Sequence, residues 1–237
     1  MSNRILKFIL VLFLAGQIHA QDWSTAHSKV EAPKTHKVQL PKADTLKINT
    51  NVSLPAAINQ AARNVVVIHA PVGGGQANKG SGTYVGNRLV ITAAHVTVGV
   101  RNIRCTFPLD GQIQGTLIGE DRQWDVALVY LDKEPRQAKG CKLASRNIVQ
   151  GTKVFVCGYS QGELLIRAGM FRAHKMSRSG SQYDWVEVST PSWPGDSGGA
   201  FLLEDGSFAG PLWGSNFTSH TIGTNRGRLG QILSGFG

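Results

Sequence analysis

A serine flanked by glycines is the feature of this sequence with the clearest chemistry. Ser197 lies within residues 194–200, which read PGDSGGA. Glycine adopts backbone conformations that other residues avoid, and its missing side chain lets a ligand carbonyl approach the chain closely. The amides of Gly195 and Ser197 can then point at one spot and stabilise a developing oxyanion. The pattern therefore predicts a nucleophilic serine beside an oxyanion hole.

Two upstream segments carry a histidine and an aspartate in similarly distinctive surroundings. Residues 89–95, LVITAAH, place His95 after an apolar run, and residues 125–129, DVALV, place Asp125 before one. A serine hydroxyl is a weak nucleophile at neutral pH, so a neighbouring imidazole must take its proton during attack. The three motifs, in the order His, Asp, Ser, resemble those of the trypsin/chymotrypsin-like serine proteases over about residues 63–215.

The resemblance implies a role for each residue. Ser197 is the nucleophile, His95 is the general base and acid, and Asp125 is the carboxylate that orients the imidazole. The backbone amides of Gly195 and Ser197 form the oxyanion hole. The implied fold is all-β, with two six-stranded antiparallel β-barrels of the chymotrypsin-like kind and the active site in the cleft between them.

The resemblance also indicates a substrate pocket, but of a different kind from that of trypsin. Where trypsin-like enzymes carry the aspartate that binds Lys or Arg, this chain has Pro191. Residues 210–215 and Ser192 resemble the bacterial glutamyl endopeptidases, although those have a histidine at the position of Leu212, and residues 79–83 resemble the Deg-type bacterial proteases. We expect a preference for an apolar or small residue before the cut. The implied substrate-binding residues are Pro191, Ser192, Leu212, Trp213, Gly214 and Ser215.

Asp196, directly before the nucleophile, has a second implied role. In trypsin-like zymogens the matching aspartate pairs with a new N-terminus made by cleavage. The sequence has no Arg-Ile-Val-Gly-Gly segment, so we expect Asp196 to bond locally instead. The three cysteines, Cys105, Cys141 and Cys157, are an odd number, so at least one lies outside any intrachain disulfide. None is spaced as a metal ligand, and we expect no metal or cofactor.

The motifs must be positioned by short strands, because β-branched and apolar runs alternate with turn residues along the whole central part of the chain. The first set, expected to form an N-terminal barrel within residues 61–145, is 65–69, 81–85, 88–92, 103–107, 115–119 and 125–131. The second set, expected to form a C-terminal barrel within residues 146–237, is 153–157, 164–171, 185–189, 200–203, 208–213 and 228–233.

The N-terminus has the pattern of a targeting segment. Arg4 and Lys7 precede an apolar run, and small and polar residues lead to Ala20, which predicts a signal peptide over residues 1–20. A retained membrane anchor is the alternative. Residues 21–60 are rich in Lys, Thr and Pro without a strand or helix period, which predicts a flexible leader or propeptide. The expected location is secreted or periplasmic.

The net charge of +10 raises the question of an anionic partner. No basic run is interleaved with aromatic residues and no nucleic-acid motif is present, so we expect a generally basic surface, no nucleic acid and no stable membrane anchor. The sequence predicts a secreted serine endopeptidase that acts on proteins or peptides through an acyl-enzyme. Two alternatives stay open: a viral or phage polyprotein-processing protease of the same fold, and a catalytically inactive protease-like binding module.

Overall fold

A computed structural model describes residues 48–49, 54–160, 162–175 and 185–236. The predicted signal peptide and most of the predicted leader lie outside these residues. The strands of the described part are β1 (Ile48–Asn49), β2 (Val65–Gly73), β3 (Gln76–Gly86), β4 (Leu89–Thr92), β5 (Asn102–Phe107), β6 (Gly111–Asp121), β7 (Val126–Leu131), β8 (Lys153–Ser160), β9 (Glu163–Lys175), β10 (Trp185–Val188), β11 (Ala200–Leu202), β12 (Phe208–Ser215) and β13 (Thr221–Thr224). The helices are α1 (Ala56–Ala62), α2 (Ala94–Thr97) and α3 (Arg226–Gly235).

Strands β2 to β7 close into a barrel in the order β2-β3-β4-β7-β6-β5, and all its pairs are antiparallel. Alternation along the strands fills its interior, because successive side chains point to opposite faces. The interior of this first barrel is lined by Val66, Ile68, Val90, Ile103 and Phe107, all buried. Each of the six strands predicted for the first half of the chain is present, several of them longer than predicted.

The strands of the second barrel follow the order β9-β10-β13-β12-β11-β8, and the pairing of β8 with β9 closes it. Strand β1 pairs in parallel with β9. Five of its strands match the prediction, but the sixth does not. Residues 228–233, predicted as a strand, lie in α3, and the sixth strand is β13, which precedes them.

The helix forms because its start and its apolar spacing both favour it. The Asn225 side chain accepts a hydrogen bond from the Arg226 amide at 2.9 Å, which is the N-cap arrangement. Leu229 and Ile232, three residues apart, are both buried on one helical face. The short apolar run of residues 228–233 also fits a strand, but the cap at Asn225 starts a helix there.

Between the barrels lies another apolar cluster, which α1 and α3 cover. Ile58 of α1, Phe155 of β8, Phe208 of β12 and Leu229 of α3 are among its fully buried members. Ile58 lies in the range assigned to a flexible leader, so the folded part begins earlier in the chain than predicted. Within the described ranges, no helix is both long enough and apolar enough to cross a bilayer.

Candidate active site

His95 is carried by the single turn of α2, which directly follows β4. Two hydrogen bonds fix it. Its backbone amide donates to Asp125 Oδ1 at 2.8 Å, and its ring Nδ1 lies 2.6 Å from Asp125 Oδ2. Because one carboxylate engages both the backbone and the ring, the imidazole is held with Nδ1 toward the acid and Nε2 available for proton transfer.

Asp125 stands immediately before β7 in a left-handed conformation, with φ of 52°. Aspartate tolerates this region better than most residues. The preceding carbonyl, that of Trp124, accepts a hydrogen bond at 2.8 Å from Thr224 Oγ1 of the second barrel. The Asp125 side chain is 21% exposed and that of His95 is 47% exposed. The carboxylate is therefore shielded while the imidazole faces solvent, where a substrate can reach it.

Ser197 follows a tight turn formed by residues 193–196. The Asp196 amide donates to the Trp193 carbonyl at 3.0 Å, with Pro194 and Gly195 at the two central positions. Gly195 has φ of 101°, and proline followed by a positive-φ glycine is the arrangement of a type II turn. A Cβ at Gly195 would lie 2.5 Å from the Tyr159 carbonyl oxygen. Only glycine therefore fits this turn without a shift of the backbone.

The two amides expected to form the oxyanion hole are available. Among the described residues, neither the Gly195 nor the Ser197 N–H donates a hydrogen bond to another group. The turn is held from the first barrel by Ser81, a fully buried residue of β3. Its hydroxyl donates to the Gly195 carbonyl at 2.7 Å and accepts from the Tyr159 amide at 2.8 Å. The Ser81 amide also donates to the Ser197 carbonyl at 2.7 Å. Ser81 thus ties both barrels to the predicted nucleophile, a role that the sequence analysis missed.

The Ser197 segment lies against the end of β4, three residues before His95. Gly198 has φ of 84°, and a Cβ there would overlap the Ser81 carbonyl oxygen and Thr92 Oγ1. Within the described part of the chain, no hydrogen bond joins the Ser197 hydroxyl to His95. Catalytic hydrogen bonds are often long in free enzymes and tighten when substrate binds. The structure thus brings the predicted nucleophile and base to the same cleft from opposite barrels.

Asp196 is fully buried, and it is paired with Arg167 of β9. Its Oδ2 also accepts the Trp193 amide at 2.9 Å, so the carboxylate closes the same turn from inside. Burial raises the pKa of Asp196, and the neighbouring guanidinium opposes that rise. The Arg167 guanidinium also lies 4.7 Å from the centroid of the Trp193 ring. The expected local bond of Asp196 is therefore present, and Arg167 supplies the positive charge beside it.

The predicted substrate-binding residues lie on the loop after β10 and on β12. The Ser192 amide donates to Ser215 Oγ at 3.1 Å, and Ser215 Oγ donates to the His220 carbonyl at 3.0 Å, which joins the two pocket segments. The Leu212 side chain is buried in the interior of the second barrel, so only its backbone can meet a substrate. The side chain is apolar and β12 is paired with a strand on each side, so the core covers it. Leu212 contributes to the site through its backbone, because its carbonyl accepts a hydrogen bond from the Gly198 amide at 2.7 Å.

An aromatic cluster supports the substrate edge. The Trp213 ring lies 5.3 Å from that of Trp185, which lies 5.7 Å from that of Trp124, both edge to face. Arg228 of α3 lies 4.1 Å above the Trp124 ring. Since Trp124 precedes Asp125, packing links the expected substrate edge at Trp213 to the segment that carries the carboxylate.

Among the residues that the structure describes, the other charged and thiol groups do not offer a rival catalytic site. Glu187, buried on β10, has Oε1 2.8 Å from Arg172 Nε, so its charge is compensated. Cys105, Cys141 and Cys157 are buried and free. Burial raises the pKa of Cys105 and of Cys141 to about 12, so these thiols stay protonated and unreactive near neutral pH. The described residues contain no group of three or more His, Cys, Asp or Glu placed to hold a metal ion.

Comparisons with known proteins agree with this geometry. The family model described as a trypsin-like peptidase domain matches residues 80–210, more than half of the 237 residues. The fold is similar to that of the Rv3671c protease in an inactive form, with a TM-score of 0.65 and 20% identity over 79% of this chain and 100% of that one. Rv3671c comes from M. tuberculosis H37Rv.

Two further solved structures show the same likeness. The serine endoprotease from Yersinia pestis gives a TM-score of 0.64 at 18% identity, covering 78% of this chain and 68% of that one. The HtrA-type protease AlgW with tripeptide gives 0.62 at 22% identity, covering 75% of this chain and 62% of that one. No curated protein matches the sequence significantly. At these identities the structural likeness shows the fold, and the predicted chymotrypsin-like double barrel is confirmed.

Proposed function

Because the chain belongs to the trypsin-like peptidase domain family, we propose that it is a serine endopeptidase that hydrolyses peptide bonds through an acyl-enzyme on Ser197. His95 Nε2 takes the Ser197 proton as the hydroxyl oxygen attacks the substrate carbonyl carbon. The C–N bond then breaks, and the imidazolium returns that proton to the leaving amine. In the second half of the reaction His95 takes a proton from water as the water oxygen attacks the ester carbonyl carbon. The ester bond then breaks, and the imidazolium returns the proton to the Ser197 oxygen. Asp125 stabilises the imidazolium in both halves of the reaction.

The observation that carries the proposal is the turn before Ser197. The N–H groups of Gly195 and Ser197 have no hydrogen-bond partners among the described residues. Both belong to the segment that carries the predicted nucleophile. Gly195 keeps its left-handed φ of 101° with support from Ser81 and from the Asp196–Arg167 pair. A protease-like binding module has no need for such an anion site, so this arrangement favours an enzyme.

The proposed function is tested by exposing the protein to a mixed library of internally quenched peptides. We expect cleavage products whose masses locate single internal peptide bonds, and we expect none from the Ser197→Ala variant. Products that form equally with Ser197→Ala would point to a contaminating protease and would contradict the proposal. Cleavage confined to one sequence, with a library otherwise untouched, would favour the polyprotein-processing alternative.

We further propose that the pocket prefers an apolar or small residue before the cut, as in a bacterial branch near the Deg-type and glutamyl endopeptidases. Pro191 replaces the acid of trypsin-like pockets, Ser192 and Ser215 offer hydroxyls, and Glu187 is already compensated by Arg172. An arginine side chain would enter without a partner carboxylate and would lose its hydration.

Matched peptides that differ only in the residue before the cut should show this preference. We expect Ala, Leu or Phe peptides to exceed the Arg peptide in kcat/KM by roughly 10- to 200-fold, as for a misfit in an apolar pocket. A peptide of the same series with Glu before the cut tests directly whether the pocket has the preference of the glutamyl endopeptidases. If the Arg peptide is cleaved fastest, an acid must reach the pocket from elsewhere and this assignment is wrong.

We also propose that the protein is exported, on the basis of the charged, apolar and small-residue pattern of residues 1–20. N-terminal sequencing of protein recovered from the medium or the periplasm should begin near Gln21, or further in if the leader is removed too. Recovery of the full-length chain from the membrane fraction would instead indicate a retained anchor.

A further inference from the structure

A row of basic side chains crosses three strands of the first barrel. His69 of β2 stands directly opposite Lys79 of β3 and, on its other side, opposite Arg104 of β5. Residues directly opposite each other in antiparallel strands point to the same face, with Cβ atoms about 5 Å apart. The three side chains therefore form one row about 10 Å long.

The row lies on the outer face of the barrel, on the same face as Ser81. Ile68 is in the barrel interior, so its neighbour His69 points outward. A Cβ at Gly82 would meet Val90 and Ile68, which are interior residues, so Ser81 and Lys79 also point outward. Lys79 is two residues from Ser81, or about 7 Å along the strand. Since Ser81 holds the Gly195 carbonyl and the Ser197 carbonyl, the row begins beside the oxyanion turn.

Within the described residues, none of the three basic side chains forms an ion pair with an acid. His69 is only 8% exposed, and its Nε2 has no hydrogen-bond partner among these residues. Arg104 Nε is also buried without a partner there. Burial and the charges of Lys79 and Arg104 lower the pKa of His69. Because this lowering leaves His69 uncharged near neutral pH, the positive charge of the row lies on Lys79 and Arg104, and His69 offers its unpartnered Nε2 between them. An anionic ligand would compensate the two charges.

The part of a substrate that meets this row follows from where Ser197 lies. On one side of the nucleophile is β12, where the Leu212 carbonyl accepts from Gly198; on the other is β3, where Ser81 donates to the Ser197 carbonyl. The sequence resemblance implies that Trp213, Gly214 and Ser215 of β12 bind the acyl part of a substrate, so we expect the part after the scissile bond to leave over β3. An open depression, lined among others by Pro71, Val98 and Arg101, lies farther along β2 than His69, and none of the three residues of the row lines it. Val98 directly follows the helix that carries His95.

We infer that His69, Lys79 and Arg104 form a subsite for acidic side chains of the substrate, within about four residues after the cut at about 3.3 Å per extended residue. This inference rests on the proposed peptidase function and specifies its substrates. Two solvent-accessible ion pairs together change an equilibrium constant by about tenfold. Peptides with acidic residues after the cut should therefore be favoured by about that factor.

Two internally quenched peptides test the subsite. They share an apolar residue before the cut and differ only at the second and fourth positions after it, which are Asp and Glu in one peptide and Asn and Gln in the other. Side chains two residues apart in an extended chain point to the same face. For the wild-type protein, the ratio of kcat/KM should be about tenfold in favour of the acidic peptide and should shrink as salt is added. The Lys79→Gln/Arg104→Gln variant should bring the ratio to within about twofold of one.

The matched control is Lys133→Gln. Lys133 is exposed and follows the C-terminal end of β7, whereas Asp125 precedes the N-terminal end of that strand. It should keep the tenfold ratio. A ratio near one in the wild-type protein, or an unchanged ratio in the double variant, would overturn the inference. Because each comparison is a ratio within one protein sample, partial loss of folded protein does not affect it.

The same peptides separate this inference from the proposed function. Their dissociation constants are measured with Ser197→Ala, in which no hydrolysis is expected. Tighter binding of the acidic peptide by about tenfold supports the subsite even if the wild-type protein cleaves neither peptide, and that outcome would contradict the peptidase function alone. Equal binding of the two peptides overturns the subsite, whatever the wild-type protein cleaves.

Discussion

Replacing Ser197 by alanine should lower kcat for peptide hydrolysis by on the order of 10⁴ or more, and His95→Ala and Asp125→Asn should each have effects of similar size. Without the Ser197 hydroxyl no acyl-enzyme can form. Without the imidazole the hydroxyl keeps its proton. With an amide in place of the Asp125 carboxylate, the 2.6 Å contact to His95 Nδ1 no longer fixes the required tautomer. Rates are measured with one quenched peptide at saturating and limiting concentrations.

The three losses should not add, because the residues act as one unit. A triple variant should retain about the rate of the most damaged single variant. Ser234→Ala, on the exposed face of α3 far along the chain from the turn, serves as the matched serine control and should keep wild-type turnover. Near-normal turnover in Ser197→Ala would end the serine-peptidase account.

Removal of Arg167 should destabilise the protein more than any other single change of a charged residue proposed here. Its side chain is 11% exposed, and its guanidinium pairs with Asp196, which is fully buried. Arg167→Met leaves the carboxylate buried beside an apolar side chain, and breaking a buried pair in this way lowers the free energy of unfolding by about 3–5 kcal/mol. Denaturant titration measures it. Arg146→Met, at an exposed position, is the control and should change stability by no more than about 0.5 kcal/mol.

The size of this loss should depend on pH in a defined direction. Burial already raises the pKa of Asp196, and Arg167 is the group that opposes the rise. In Arg167→Met the folded-state pKa should therefore lie higher still, above the unfolded value of about 3.9. Between those two values the native state binds more protons than the unfolded chain, so stability falls as pH rises. The variant should be closest to wild type at acid pH and weakest at neutral pH.

Adding Asp196→Asn to Arg167→Met tests whether the pair is the cause. The side-chain amide introduced by Asp196→Asn has no charge, so no unpaired charge stays buried in the double variant. It should lose less stability than the sum of the two single changes, and its stability should depend less on pH than that of Arg167→Met. Additive losses, or a loss in Arg167→Met that is independent of pH, would show that Arg167 stabilises the barrel by packing rather than by pairing with Asp196.

Local patterns in the sequence were sufficient to predict most of the fold. The runs around Val65, Thr92 and Val126 alternate or lie between turn signals, and each forms a strand of the first barrel. The pattern failed at residues 228–233, where an apolar pair fits both a strand and a helix. The deciding contact is the cap at Asn225, whose side chain also bonds the backbone of Ile148, 77 residues away. Such a distant partner is not visible in a local pattern.

The site divides in the same way. Its three predicted catalytic residues lie within short motifs, and the structure brings His95 and Asp125 into direct contact. The residues that hold the turn were missed, because Ser81 meets Gly195 across 114 positions and Arg167 meets Asp196 across 29. A lone arginine among the apolar residues 164–171 was the one local sign of a buried partner.

The most direct test of the central claim is covalent labelling by a peptidyl phosphonate with an apolar residue at the reactive end. Attack by an activated serine leaves a stable phosphonyl ester, and mass spectrometry of a digest locates it. The account predicts one adduct per chain at Ser197, formed in the wild-type protein, greatly slowed in His95→Ala and absent in Ser197→Ala. Wild-type protein that stays unlabelled, or that is labelled elsewhere than at Ser197, would contradict it.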